Sequence, residues 1–356
     1  SKLISSHKEG EVQSELVEIT FGPDNEAKMT IELIIPEGEG PFPVYMTQWT
    51  HRCWAQLAVK RGYMACVYAG ADDKDDTQAY QALYPDYDFT CLMRRAWGAS
   101  RAIDYLYTRN DIDTARIAIT GHSRNGKQSL WAAAFDERIK AVISSSCGTG
   151  GITPWRYSDP QYCNQTLDDI TANAAHWFHP RLRFFFGRED KLPTDQNLLL
   201  SLIAPRPLLL HYSIVEGQLN PWANEQCYES AKTVYDLLNA DEHIQLFPRM
   251  GEHPVATRDL ETCIDFLDIQ FERKNIPWTA SKRFYKNKFL PNAFPKPSEW
   301  NDKDTKKPIH VEAKKDMTFM NNQKNHILHA LNSLLGKEPG GIRPNNTEPV
   351  SSSYRM

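Results

Sequence analysis

The chain has 356 residues, of which 41% are hydrophobic and 24% charged, and a formal net charge of −4. That composition excludes wholesale disorder, and a near-neutral chain is not built for bulk nucleic-acid or membrane-surface binding. No apolar run reaches the length of a membrane span; the best stretch, residues 198–212, is broken by Pro205, Arg206 and Pro207.

Residues 1–14 are polar and carry no signal-peptide pattern. A mature exported chain with its leader removed is the expectation, although a cytoplasmic chain would look alike. Residues 15–21 and 29–35 alternate in polarity around Gly22-Pro23-Asp24-Asn25, which predicts a β-hairpin. Strand-like and helix-like segments then alternate. Strands are expected at 44–47, 64–68, 116–120, 141–145, 207–212 and 244–247. Helices are expected at 54–61, 92–107, 125–135, 225–238 and 257–271. This order predicts right-handed crossovers and a mostly parallel twisted sheet with helices on both faces.

Residues 1–273 form the expected catalytic domain. Within them, 147–201 is rich in aromatics, including Trp155, Tyr157, Tyr162, Trp177 and Phe178, and reads as an insertion over one end of the sheet. From 274 to 315, eleven Lys/Arg stand against four Asp/Glu among prolines. Residues 274–356 therefore read as a basic extension, with a short amphipathic helix near 321–335. The seven cysteines are scattered without a C-x-x-C pair. They are expected as small buried side chains, with one or two disulfides as the alternative.

The strongest local signal is Gly121-His122-Ser123-Arg124-Asn125-Gly126-Lys127, directly after an apolar strand and before a helical pattern. It reads as a nucleophile elbow, with its second glycine one place later than in G-x-S-x-G. Ser123 is the expected nucleophile. A serine needs a base, and His253, on the loop after the last strand, stands where one belongs. The acid should fall between them in the chain. Glu216, on the loop after the strand at 207–212, is the expected acid, with Glu225 as a rival. The backbone N–H of Arg124 is the expected oxyanion donor, and the Gln48-Trp49-Thr50-His51 loop should face the same site. His51 could line the pocket, and His122 reads as a packing or turn contact. His176 and His179 could touch substrate. They form H-x-x-H without a third ligand, so neither metal nor cofactor is expected.

These residues resemble a family. The elbow heptad, Trp131-Ala132-Ala133-Ala134, His176-Trp177-Phe178, Arg188-Glu189-Asp190-Lys191-Leu192-Pro193 and Ala204-Pro205-Arg206-Pro207 are similar to the bacterial glucuronoyl esterases of carbohydrate esterase family fifteen. The resemblance covers residues 33–272. It implies an α/β-hydrolase fold and a serine esterase acting on uronic-acid esters in plant cell-wall polysaccharide. It also implies that Arg124 looks onto the oxyanion and Lys127 reaches sugar hydroxyls. Many members carry the acid after an earlier strand, where this chain has Thr149. Asn220-Pro221-Trp222 with Glu225-Gln226 looks more like carbohydrate esterase family nineteen, which includes bacterial pectin methylesterases. The expected substrate is therefore the methyl ester of galacturonic acid in pectin. A glucuronoyl ester comes second, acetylated xylan third, and an inactive carbohydrate-binding relative is the non-enzyme alternative. Trp155, Trp177 and Trp222 are the expected aromatic faces for sugar rings, and Trp49 is expected to serve oxyanion or substrate binding from its loop.

Overall fold

The computed structural model describes residues 1–70, 74–158 and 164–278, with Arg283, Tyr285 and Asn325. The chain opens with three antiparallel strands, β1 (Lys2–Glu9), β2 (Val12–Phe21) and β3 (Ala27–Ile35). The predicted hairpin is β2–β3, paired from Gln13 opposite Ile35 to Phe21 opposite Ala27. β1 leaves no polarity signal, because every one of its residues is exposed and it has no apolar face.

Strand–helix alternation follows. The elements are β4 (Phe42–Gln48), α1 (Arg52–Lys60), β5 (Met64–Tyr68), α2 (Tyr80–Leu83), α3 (Cys91–Leu106), β6 (Ile112–His122), α4 (Arg124–Phe135) and β7 (Ala141–Ser145). Then come α5 (Leu167–Asn173), α6 (Gln196–Ser201), β8 (Leu208–Ser213), α7 (Pro221–Leu237), β9 (Ile244–Arg249) and α8 (Thr257–Gln270). The strands make one nine-stranded sheet in the order β1-β2-β3-β5-β4-β6-β7-β8-β9. β3 meets β5 antiparallel, and from β5 to β9 every pairing is parallel. This is the α/β-hydrolase fold that the motif order predicts.

Period-two alternation sorts the strand residues to two faces. Val44, Met46, Ile117, Ile119, Val142, Leu208 and Leu210 point into the larger core, with Trp97 of α3, Trp131 of α4 and Tyr235 of α7. Tyr45, Ala118, Ala141, Ile143 and Leu209 point the other way, onto Cys263, Ile264 and Leu267 of α8. α7 starts at Pro221, earlier than the pattern suggests. Asn220 Oδ1 accepts the Ala223 N–H at 3.1 Å, and Pro221 fits the first helical position, whose N–H has no partner.

The aromatic insertion is packed into the domain. Trp155, Leu167, Ile170, Phe178 and Leu182 all join the larger core. Of the cysteines, Cys66, Cys91, Cys147, Cys227 and Cys263 are buried free thiols and Cys53 is an exposed one. Cys163 and Tyr162 lie outside the described residues, as does almost all of the extension, including the helix expected near 321–335. Of its described part, Lys274 pairs with Asp268 and Trp278 lies against Phe266, both on α8, while Arg283 and Tyr285 meet α7. Arg283 pairs with Glu229 at 2.6 Å, and the Tyr285 N–H reaches the Glu225 carboxylate. Among the described residues no helix is long and apolar enough to cross a membrane.

Candidate active site

Ser123 is the single residue between β6 and α4, with φ 56° and ψ −130°. That is strained backbone for an L-residue, of a kind that persists only where surrounding contacts fix it. Here its N–H donates to the Ser145 carbonyl at 2.8 Å, and its own carbonyl accepts from the N–H of Gly126 and Lys127. The glycine spacing has a steric cause. A Cβ on Gly121 would lie 2.2 Å from the Asn125 carbonyl oxygen. A Cβ on Gly126 would lie 2.9 Å from Cys147 Cβ and 3.0 Å from the Gly121 carbonyl oxygen. Position 125 carries a buried asparagine. Its Nδ2 faces His51 Nδ1 at 3.4 Å.

The expected base, His253, lies on the loop after β9. His253 Nδ1 lies 2.6 Å from Glu216 Oε1, on the loop after β8. The Glu216 side chain is 4% exposed. A carboxylate can only accept, so Nδ1–H donates and Nε2 is left for another partner. The His253 ring packs on the ring of His122, the residue before Ser123, with centroids 4.3 Å apart. Among the described residues the Ser123 hydroxyl makes no hydrogen bond to His253. Such contacts commonly tighten only when substrate is bound. Glu225 is placed elsewhere, buried and accepting from Tyr212 at 3.2 Å. Thr149 is buried and donates to the Gln165 carbonyl at 2.6 Å.

Around the elbow, Trp177 lies 6.0 Å from the Arg124 guanidinium and 5.8 Å from Lys127 Nζ. Lys127 is 2% exposed and donates to the Cys147 carbonyl. Burial pushes its ammonium down to about 8. The expectation that Lys127 reaches sugar hydroxyls meets that burial, which ties the ammonium to the backbone after β7. His51 is buried beside His122, and burial, with Arg124 and His253 nearby, pushes it down to about 4.

Trp155 departs from expectation. It is 4% exposed and packs edge-on against Phe178, so it belongs to the core of the insertion and offers no face to a sugar. Trp49 lines a cavity of about 630 Å³ with Leu16, Thr30 and Asp76, and Lys74 sits over its ring at 4.6 Å. Trp222 is half-buried and meets Tyr157 edge-on at 5.3 Å. His179 pairs with Asp88 at 3.1 Å, and His176 lies against Trp177. Among the described residues no group of three His, Cys, Asp or Glu is placed to hold a metal ion.

Sequence reasoning passed over Arg249 and Ser145. Arg249 Nη2 donates to the His253 carbonyl at 2.9 Å and to Ser146 Oγ at 3.3 Å. Ser145 Oγ lies 3.1 Å from His122 Nδ1. Both end strands next to a site loop, which is the signal that could have found them.

The elbow, the late histidine and the buried carboxylate on it stand on an α/β-hydrolase fold. Residues 17–239 match the family described as "Glucuronyl esterase, fungi", and the chain belongs to the glucuronoyl esterase family. It is 33% identical over 240 residues to carbohydrate esterase MZ0003 from an unknown prokaryotic organism, covering 60% of this chain and 55% of that protein. It is 35% identical over 181 residues to 4-O-methyl-glucuronoyl methylesterase 1 of Wolfiporia cocos, covering 49% of this chain and 44% of that protein. The chain thus spans about half the length of these curated relatives. Among solved structures, a carbohydrate esterase family 15 glucuronoyl esterase from Caldicellulosiruptor kristjansonii superposes with a TM-score of 0.68 at 25% identity, over 82% of this chain and 84% of that chain.

Proposed function

We propose that this chain hydrolyses esters of glucuronic acid in plant cell-wall polysaccharide, through a Ser123–His253–Glu216 triad. The observation that carries the triad is the 2.6 Å contact of Glu216 with His253, packed against the elbow. Ser123 Oγ attacks the ester carbonyl as its proton passes to His253 Nε2. Glu216 holds the imidazole through Nδ1 and stabilises the imidazolium. The Arg124 N–H, at the positive end of α4, faces the developing oxyanion. The imidazolium then protonates the leaving alcohol, and water, deprotonated by the same ring, releases the acid.

The matched relatives named for a substrate carry the 4-O-methyl-glucuronoyl ester in their names, which favours that ester over the pectin methyl ester expected from Asn220-Pro221-Trp222. Arg124 and the half-buried face of Trp177 are the groups we assign to the uronate sugar. A wall-bound substrate calls for an exported enzyme, and we carry that expectation with the proposal. The test is a panel of defined esters: a 4-O-methyl-glucuronoyl ester, methyl galacturonate in pectin fragments, and acetyl-xylan. We expect alcohol release from the glucuronoyl ester to be fastest and to vanish in Ser123→Ala. Faster methanol release from pectin, or acetate from xylan, would move the substrate. Turnover that survives in Ser123→Ala would end the mechanism.

A further inference from the structure

Beneath the base lies a chain of buried side chains that the triad does not use. His122, at the end of β6, places Nδ1 3.1 Å from Ser145 Oγ at the end of β7. The same hydroxyl lies 2.8 Å from His211 Nδ1 on β8. A serine hydroxyl has one proton to give and can also accept. With an imidazole nitrogen on each side, one ring must donate and the other accept. His211 Nε2 is buried with no partner among the described residues. A buried bare acceptor is tolerated more readily than a buried orphaned N–H. The His211 proton therefore sits on Nδ1 and is donated to Ser145, and Ser145 donates to His122 Nδ1. His122 is left neutral, with its proton on Nε2.

The His122 ring then meets the His253 ring, with centroids 4.3 Å apart and planes inclined at 41°. His51 stands edge-on to His122 at 5.7 Å. We propose that His122 is a positioning residue for the base: pinned as a neutral imidazole by Ser145 and His211, it supports the His253 ring so that Nδ1 stays on Glu216 and Nε2 turns to Ser123. This rests on the triad reading above. The charged and titratable groups around His122 are His253, His51, His211 and Arg249. Burial, and after it each of these groups, opposes a proton on it and pushes it down to about 2. Neutrality has a use. When His253 takes the serine proton, the imidazolium rests on an aromatic face, where a second cation would repel it.

The test compares His122→Ala, which removes the face, with His122→Phe, which keeps a flat ring. Both are assayed on a nitrophenyl ester, so the outcome does not depend on which sugar ester is natural. Proton NMR follows the downfield His253 Nδ1–H that the 2.6 Å contact with Glu216 should produce. In His122→Ala, kcat should fall by about a hundredfold, the loss expected when a catalytic group is misplaced by about 1 Å, with KM little changed. The downfield signal should broaden away. In His122→Phe most of kcat and the signal should return. An unchanged kcat and signal in His122→Ala overturn the proposal. So does equal loss in the two variants, which would make His122 a packing residue of the elbow. If His122→Ala does not fold, Ser145→Ala decides, because it cuts the pin and leaves the ring. It should weaken both readouts, and an unchanged pair overturns the proposal. If no nitrophenyl ester is turned over by the parent, the esterase reading fails, and the NMR signal still decides the positioning role.

Discussion

Arg249 reaches across the catalytic loop and donates through Nη2 to the carbonyl oxygen of His253, at 2.9 Å. The guanidinium also touches Ser146, so one side chain joins the end of β9, the base and the turn after β7. Arg249→Leu should leave that carbonyl without its donor and loosen the base. We expect kcat on a nitrophenyl ester to fall by about tenfold to a hundredfold while KM moves little, because the loss is of orientation. Steady-state kinetics beside a thermal melt separates this from unfolding.

The triad makes the sharpest prediction. Ser123→Ala should cost about a millionfold in kcat with the fold intact. Glu216→Gln should cost about ten-thousandfold, because an amide at Oε1 can present an N–H to Nδ1 and favour the wrong tautomer. Far-ultraviolet circular dichroism checks the fold, and single-turnover kinetics checks the chemical step. A Glu216→Gln enzyme at a tenth of the parent rate would move the acid to another residue.

Gly121 should tolerate no side chain. The added Cβ would meet the Asn125 carbonyl oxygen at 2.2 Å, and that backbone belongs to the first turn of α4. Gly121→Ala should destabilise by about 1–3 kcal/mol and displace Ser123. Chemical denaturation reads the first effect and kcat the second.

Lys127 gives a pH signature. Burial lowers its ammonium from 10.5 to about 8, so between those values the unfolded chain binds the extra proton. Stability from this group therefore rises with pH across that window. Against Lys127→Met, the wild-type urea midpoint should gain steadily from about pH 8 to about pH 10. Equal slopes in the two proteins would mean that the buried ammonium is not perturbed.

Acid works through the buried histidines. His51 is lowered to about 4 and His211 to about 3 from 6.5, both chiefly by burial. Each stays neutral in the fold while its unfolded counterpart takes a proton. The stability they contribute is complete above 6.5 and is lost as pH falls toward the lowered values. His211→Gln should flatten the fall in urea midpoint between about pH 6.5 and about pH 4.5. A slope as steep as wild type would show that His211 does not titrate with unfolding.

By itself the sequence determined the sheet from β2 onward and the elbow. Both depend on local rules: period-two alternation assigns Val44 and Tyr45 to opposite faces, and Gly-His-Ser-Arg-Asn-Gly between an apolar strand and a helical pattern reads as a sharp strand-to-helix turn. That an acid should fall between Ser123 and His253 in the chain follows from the connection pattern in the same way. Tertiary structure decided what local pattern leaves open. Glu216 and Glu225 are both carboxylates just beyond β8, and only the path of the loop puts one on His253 and the other on Tyr212. Trp155 and Trp177 both sit in an irregular insertion with no periodicity to say which face is inside, and packing against Phe178 buries the first. The resemblance gives Lys127 to sugar hydroxyls, and only β7 and its turn decide that its ammonium is buried on the Cys147 carbonyl. In each case the deciding contact joins segments far apart in the chain, and burial and partner choice exist only once the sheet has brought them together.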